Sequence, residues 1–181
     1  GDVVLIRFDP PAVRLAEILH RRILQEGMHP VVRMNPTAAM EQSFFGLAND
    51  RQLAFTAPGE AALMRRINGI ISLYAPESLT HLSGVDPKKI GKAAASNKFL
   101  RDILAERESA GLSSWTIGLF PTEELARRAG LSLEAYTRQV IRACFLNRVD
   151  PVAQWQAVFD RAKSIKQRLN RLKAVRYHVE S

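Results

Sequence analysis

The 181-residue sequence contains one cysteine, Cys144, so no internal disulfide can staple the fold. A hydrophobic core must hold it instead. An unpaired thiol suits a reducing compartment, and a cytoplasmic location is the expectation. Cys144 lies between Ala143 and Phe145 and reads as a small buried filler. No local signature ties it to a histidine, and no G-x-S-x-G elbow offers another nucleophile. The histidines are His20, His29, His81 and His178. They are far apart and none stands in H-E-x-x-H or another ligand spacing, so the sequence offers no metal site of its own. No apolar run reaches the roughly 18 residues of a membrane span. The start, GDVVLIRF, has neither a basic leader nor a cleavage site, so a soluble protein without a secretory signal is expected. The sequence also lacks internal repeats, low-complexity tracts and flexible linkers.

What is present is an alternation of short apolar runs and helical patterns, with 46% hydrophobic residues to supply a core. Its clearest unit runs from Ser113 to Gly130. Trp115-Thr116-Ile117-Gly118-Leu119-Phe120 mixes aromatic and β-branched residues that suit a buried strand. Pro121 stops that strand, having no N–H for a ladder. Thr122 caps a helix whose first turn carries Glu123 and Glu124, where the helix dipole favours negative charge. Leu125 and Ala129 share a face of this helix, and Gly130 is its C′ stop.

Earlier, Val3-Val4-Leu5-Ile6 is a continuous apolar run, the mark of a strand covered on both faces. Asp9 is expected to cap the next helix, with Pro10 and Pro11 in its first turn and Leu15, Ile18, Leu19 and Ile23 as its apolar stripe up to Gly27. His29 to Met34 is a second strand, so the pair forms a right-handed parallel crossover. Pro36 to Ala48 reads as a helix with Met40, Phe44 and Leu47 on one side. Arg51 to Thr56 is ambiguous between an extended piece and a loop, and Glu60 to Arg66 is a short helix. Gly69 to Tyr74 is a third strand; Asp86-Pro87 then opens one long helix to about Ala110, bearing Ile90, Phe99, Ile103 and Leu104.

These patterns predict an α/β fold: a doubly wound, mostly parallel sheet flanked by helices, with extra C-terminal helices. Strands are expected near 3–8, 30–34, 69–74 and 114–120, in the order 2-1-3-4. One further helix starts at Ser132, with Leu133, Tyr136, Val140 and Cys144 on one stripe. Another is capped by Asp150-Pro151, with Trp155, Phe159, Ala162, Ile165, Leu169 and Leu172 turned inward. Ala174 to Val179 alternates like a strand without a partner. That orphan strand, and a start without methionine, lead us to expect a longer natural chain.

The formal charge is +8, from 26 basic and 18 acidic residues. Much of the excess collects in Arg161, Lys163, Lys166, Arg168, Arg171, Lys173 and Arg176. Such an excess can serve nucleic acid or an anionic membrane. Here no aromatic residue stands among the basic ones to stack on bases, and the cations lie between the apolar positions of an amphipathic helix. A solvated face, or one awaiting an acidic neighbour, is the reading, and neither nucleic acid nor membrane is an expected partner. A dinucleotide is also disfavoured. The turn after the first strand is Phe8-Asp9-Pro10-Pro11, with no glycine to let a phosphate approach, and G-x-G-x-x-G and Walker A are absent. The carboxyl ends of the strands, including Phe120, Pro121 and Thr122, remain the topological place for a ligand, although a tight strand-to-helix connection explains those three. The pairs Glu123/Glu124 and Glu106/Glu108 fall in helical, solvated settings and suggest no acid–base role.

With its segments assigned, the chain resembles the thermophilic metallo-aminopeptidase family of the aminopeptidase T and aminopeptidase S type. The resemblance rests on Trp115 to Thr122, Leu125-Ala126, the run Ala129 to Tyr136, Arg142-Ala143-Cys144-Phe145, and Asp150-Pro151-Val152-Ala153-Gln154-Trp155. Arg168-Leu169-Asn170 and Val175-Arg176 add to it, and the first half matches more loosely in Gly1 to Ile6, Gly27 and Val85-Asp86-Pro87. Where the family is expected to carry tyrosine before Pro-Thr, this chain has Phe120. The resemblance implies that residues 1–181 form the N-terminal α/β domain of a two-domain, dimeric enzyme that removes N-terminal amino acids from peptides. Its helical part would span about 122–173, and 174–181 would lead into the catalytic domain. Two divalent ions of zinc or cobalt type would be held by glutamate, histidine and aspartate of that second domain. No catalytic, cofactor-binding or metal-binding residue is therefore assigned to this chain. The competing reading is a stand-alone α/β module that binds a small ligand or nucleic acid.

Overall fold

The computed structural model describes residues 1–172, 176 and 178–180. Strands β1 (Val3–Phe8), β2 (His29–Met34), β3 (Gly69–Tyr74) and β4 (Ser114–Leu119) form one all-parallel sheet in the order β2-β1-β3-β4. This is the doubly wound arrangement expected from the sequence. Its placement follows from apolar content. β1 is inward on both faces, with Leu5 and Ile6 fully buried, and lies between two neighbours. β2 carries Pro30, which cannot donate to a ladder, and lies at an edge.

The alternation of side chains divides the core into two layers. Val4, Ile6 and Phe8 pack with Leu73, Ala75 and the inner side of helix α1 (Val13–Gln25), through Ala16 and Ile23. Leu5 faces the other way, toward Met64 at the end of α4 (Glu60–Met64), Ile67, and Leu100, Ile103 and Leu104 of α6 (Lys98–Ser109). Burying each such side chain contributes roughly 1.5–3 kcal/mol.

Several local expectations are corrected. Ile18 is exposed, because the buried stripe of α1 runs through Ala16 and Ile23. Helix α2 (Ala38–Leu47), capped by Thr37, lies within the expected 36–48 span, and the side carrying Met40, Phe44 and Leu47 is exposed. The ambiguous 51–56 stretch contains most of a short helix, α3 (Asp50–Leu53), opened by an Asn49/Gln52 capping box. The long helix after Asp86 is two helices, α5 (Pro87–Ser96) and α6, broken at Asn97. There Ser96 Oγ donates to the Lys92 carbonyl and Asn97 Nδ2 to that of Ala93, so side chains compete with the backbone ladder. The break turns Phe99 outward and puts Leu100 against the core. After β4, α7 (Glu123–Arg128) ends at Gly130, which is left-handed at φ +67° as expected, but its buried residues are Glu124 and Ala126, with Ala129 exposed.

The chain divides into two compact units, Gly1–Leu133 and Glu134–Ser181. The second holds most of α8 (Leu133–Ala143) and all of α9 (Pro151–Arg171). Tyr136, Val140 and Cys144 are half-buried, so the thiol is less enclosed than its neighbours suggested. Helix α8 ends with Phe145 in the left-handed region at φ 60°, a conformation usually left to glycine. The Phe145 N–H donates to the Arg142 carbonyl and that of Leu146 to the Ile141 carbonyl, while the Phe145 ring meets Trp155 edge-on at 5.4 Å. The stripe on α9 that was expected inward is exposed: Phe159, Ile165, Leu169 and Leu172 all face solvent. Of the expected terminal strand, Ala174, Val175 and Tyr177 lie outside the described residues, and Arg176, His178 and Val179 are not in a strand.

The two kinds of apolar residue should behave differently on truncation. Leu5→Ala should cost about 2–5 kcal/mol in urea denaturation, from lost burial plus cavity. Leu169→Ala should stay within about 0.5 kcal/mol in the same experiment. Comparable losses at both positions would show that the stripe is covered in the isolated chain.

Candidate functional site

The carboxyl ends of β1, β2 and β3 meet at Asp9. The sequence suggests a helix cap there, yet Pro10 and Pro11 have no N–H to offer, and the first available donor, Ala12 N–H, goes to the Asp9 backbone carbonyl at 2.9 Å. The carboxylate therefore turns across the sheet. Its Oδ1 accepts from Asn35 Nδ2 at 2.7 Å and its Oδ2 from Ala75 N at 2.6 Å. Asn35 and Ala75 are the first residues beyond β2 and β3. This is the switch point of the doubly wound sheet, where a crevice is expected. A crevice of about 400 Å³ lies there, walled in part by Asp9, Asn35, Thr37, Glu41, Tyr74 and His81.

Its polar walls are largely committed to one another. His81 presents Nδ1 to the Ser78 carbonyl at 3.1 Å and Nε2 to Glu41 Oε2 at 2.5 Å. Gln42 Nε2 adds a bond to the His81 carbonyl at 2.9 Å. Thr122 caps α7 through Leu125 N and also donates its hydroxyl to the Pro76 carbonyl at 2.8 Å. Phe120 packs on the core, so residues 120–122 form a strand-to-helix connection.

Glu124 departs from the solvated setting expected for it: only 9% of its surface is exposed. Its Oε1 accepts from Arg128 Nε at 3.1 Å and from Leu79 N at 3.3 Å, and its Oε2 from the Arg127 guanidinium. The bonds from Arg127 and then Arg128 hold its carboxyl below the usual value of 4.5, against the opposing effect of burial. Glu108 accepts from the Trp115 indole at 3.0 Å. These carboxylates are structural anchors. The signal for Glu124 was present in the sequence as two arginines at i+3 and i+4, a spacing that places them on its own face.

Among the described residues, no three of His, Cys, Asp and Glu come together in a group that could hold a metal ion. His29 is exposed at the head of β2, and His178 lies beside Glu180 at 3.3 Å, both groups in solvent. The pairing of Glu41 with His81 is the nearest approach to a donor set, and it stops at two groups. This chain's described donor set does not fit a metal centre. No described helix is long and apolar enough to cross a membrane.

The sequence matches the thermophilic metalloprotease (M29) family over residues 1–181. The chain belongs to this family. A solved structure, wild-type AmpT from Thermus thermophilus, shares its fold, with a TM-score of 0.62 at 23% sequence identity over 87% of this chain. The chain spans 40% of the AmpT chain. No curated protein matches the sequence. The family is one of metal-dependent peptidases, which places this chain in a peptidase context.

Two substitutions test the ties around the crevice. Asp9→Ala removes an anionic acceptor from two donors and should cost about 3 kcal/mol in denaturant unfolding; Asp9→Asn, which keeps one good acceptor, should cost roughly half as much. Glu124 tests the charge. A carboxyl held below its unfolded value stabilises the fold fully above that value and loses the contribution as pH falls through the folded one. The melting temperature of the wild-type chain should therefore exceed that of Glu124→Gln at neutral pH. The gap should begin to close below about pH 4.5 and disappear under stronger acid. A gap that stays constant with pH would mean the charge contributes nothing.

Proposed function

We propose that residues 1–181 are the N-terminal, non-catalytic domain of a metal-dependent aminopeptidase, and that a catalytic domain follows in the same polypeptide. The observation that carries this reading is the family match along the whole of this chain, combined with a span of 40% of AmpT. The scattered metal donors support it, since two divalent ions would need a first shell that the described residues do not assemble. So does the surface. Apolar side chains on α9 lie open to solvent in a pattern that suits an absent neighbour, and the cations Lys166 and Arg171 project from the same helix. In this reading the first unit contributes a rigid α/β wall, α9 meets the rest of the enzyme, and the assembled enzyme is a cytoplasmic homodimer that cleaves N-terminal residues from peptides.

The isolated chain should show no turnover of an aminoacyl chromogenic substrate and no stoichiometric sub-micromolar binding of zinc or cobalt in isothermal titration. Replacing Lys166, Arg171 and Lys173 together by glutamine should leave its melting temperature within a degree or two, because exposed ion pairs contribute only roughly 0–1 kcal/mol each. The same triple change should weaken association with a separately expressed catalytic half. Metal-dependent turnover by the isolated chain, or a catalytic half indifferent to the change, would overturn the reading. DNA binding with a steep salt dependence that the change flattens would favour a nucleic-acid surface instead.

A further inference from the structure

Helix α9 carries a regular seam. Counting Trp155 as heptad position a, the a positions are Trp155, Ala162 and Leu169 and the d positions are Val158, Ile165 and Leu172. Every residue from Val158 to Leu172 is exposed. Its amino-terminal end is partly covered within its own unit, where Phe145 meets Trp155 and Trp155 stacks on Phe159 at 6.0 Å. Beyond it lies a shallow groove of about 550 Å³ against Ala162, Ile165, Lys166 and Leu169. From Ala162 onward the apolar residues keep to a and d with a 3.5-residue period, while Phe159 at e widens the stripe at its start; a seam of this period matches the holes and knobs of a second helix. Ala162, small between Trp155 and Leu169, leaves a hole for a large side chain.

The flanking positions select the partner. At g stand Arg161 and Arg168, and at e Lys166, while the carboxylate of Asp160 lies away from the seam at f and accepts from Gln156 at 3.0 Å. None of Arg161, Lys166 and Arg168 has a carboxylate partner among the described residues. A second copy of α9 is a poor occupant in either direction. Parallel pairing sets g against e, and antiparallel pairing sets g against g and e against e, so each brings cation to cation. We infer that α9 is a docking seam for one amphipathic helix whose apolar a/d stripe is flanked by glutamate or aspartate. That this helix belongs to the catalytic part of the same enzyme rests on the function proposed above; its chemistry rests on α9 alone.

The test uses the 181-residue chain and two designed peptides of 21 residues, the length of α9. Both carry leucine at a and d; one has glutamate at e and g, the other lysine. Anisotropy of labelled peptide should show the glutamate peptide binding at least about tenfold more tightly, with the difference shrinking in high salt. The variant Arg161→Glu/Lys166→Glu/Arg168→Glu should reverse that preference, a gain of binding that an unfolded chain could not give. Equal binding of both peptides, binding of neither, or an unreversed preference would overturn the inference. So would self-association of the wild-type chain at the same concentration in sedimentation, or tighter binding to phosphatidylserine vesicles than to the glutamate peptide. If the peptides behave as expected but a separately expressed catalytic half does not bind, the seam stands and the assignment of its partner falls.

Discussion

The Asp9 carboxylate joins the ends of three parallel strands, and the character of the first unit depends on it. In a parallel sheet the ladder stops where the strands end, and the next backbone groups need other partners. Asp9 supplies them to the backbone of Ala75 and the side chain of Asn35 together. It is free to do so because the two prolines that follow cannot accept its help as a cap. Many sheets of this topology use the same turn to cradle a phosphate, through glycine and unpaired N–H groups. Here an anion occupies the turn and its neighbouring donor is taken. The turn thus lacks the glycine and free N–H groups of that phosphate-binding arrangement.

The segment from Ala75 to His81 shows how the crevice keeps its shape. Asp9 holds its first residue, Thr122 holds Pro76, Glu124 holds Leu79, and Glu41 with Gln42 holds His81. Three separate parts of the chain, Asp9 after β1, the start of α7 and helix α2, thus fix a stretch that has no helix or strand of its own. Conformational entropy makes such a stretch costly to order, and each of these bonds offsets part of that cost. The outcome is a crevice whose polar groups serve its own walls.

The sheet was legible because its information is local. Val3 to Ile6, Gly69 to Tyr74 and Trp115 to Leu119 are apolar runs closed by proline or turn residues, which places the strands; the burial read into the last of them is corrected, since β4 lies at a sheet edge with Trp115, Ile117 and Leu119 exposed. The errors came where local rules compete or where a partner is distant. Asn97 breaks a helix that periodicity would continue, since its side chain bonds the preceding turn. Asp9 follows the composition of a cap but is denied cap donors by its neighbours. The contacts of Asp9 with Asn35 and Ala75 join residues 26 and 66 positions apart, and no short-range pattern contains them.

The stripe on α9 exposes a different limit. Periodicity states which residues share a face; it does not state what covers that face. Ile165, Leu169 and Leu172 were expected inward from spacing alone, and the spacing is present, yet the side chains are open to solvent. Single exposed apolar residues need no explanation, whereas a contiguous row of them marks a surface made for contact. At about 25 cal/mol per Å² of apolar area removed from water, covering such a row is a driving force that the described chain leaves unused. A helix of 21 residues with a seam this regular would, if made only for solvent, lose nothing by replacing Ile165 or Leu169 with lysine or glutamate. Helix propensity would be served as well or better at position 165 by such a change, because isoleucine is a weaker helix former than either. The seam is therefore explained by contact and not by the stability of the helix that carries it.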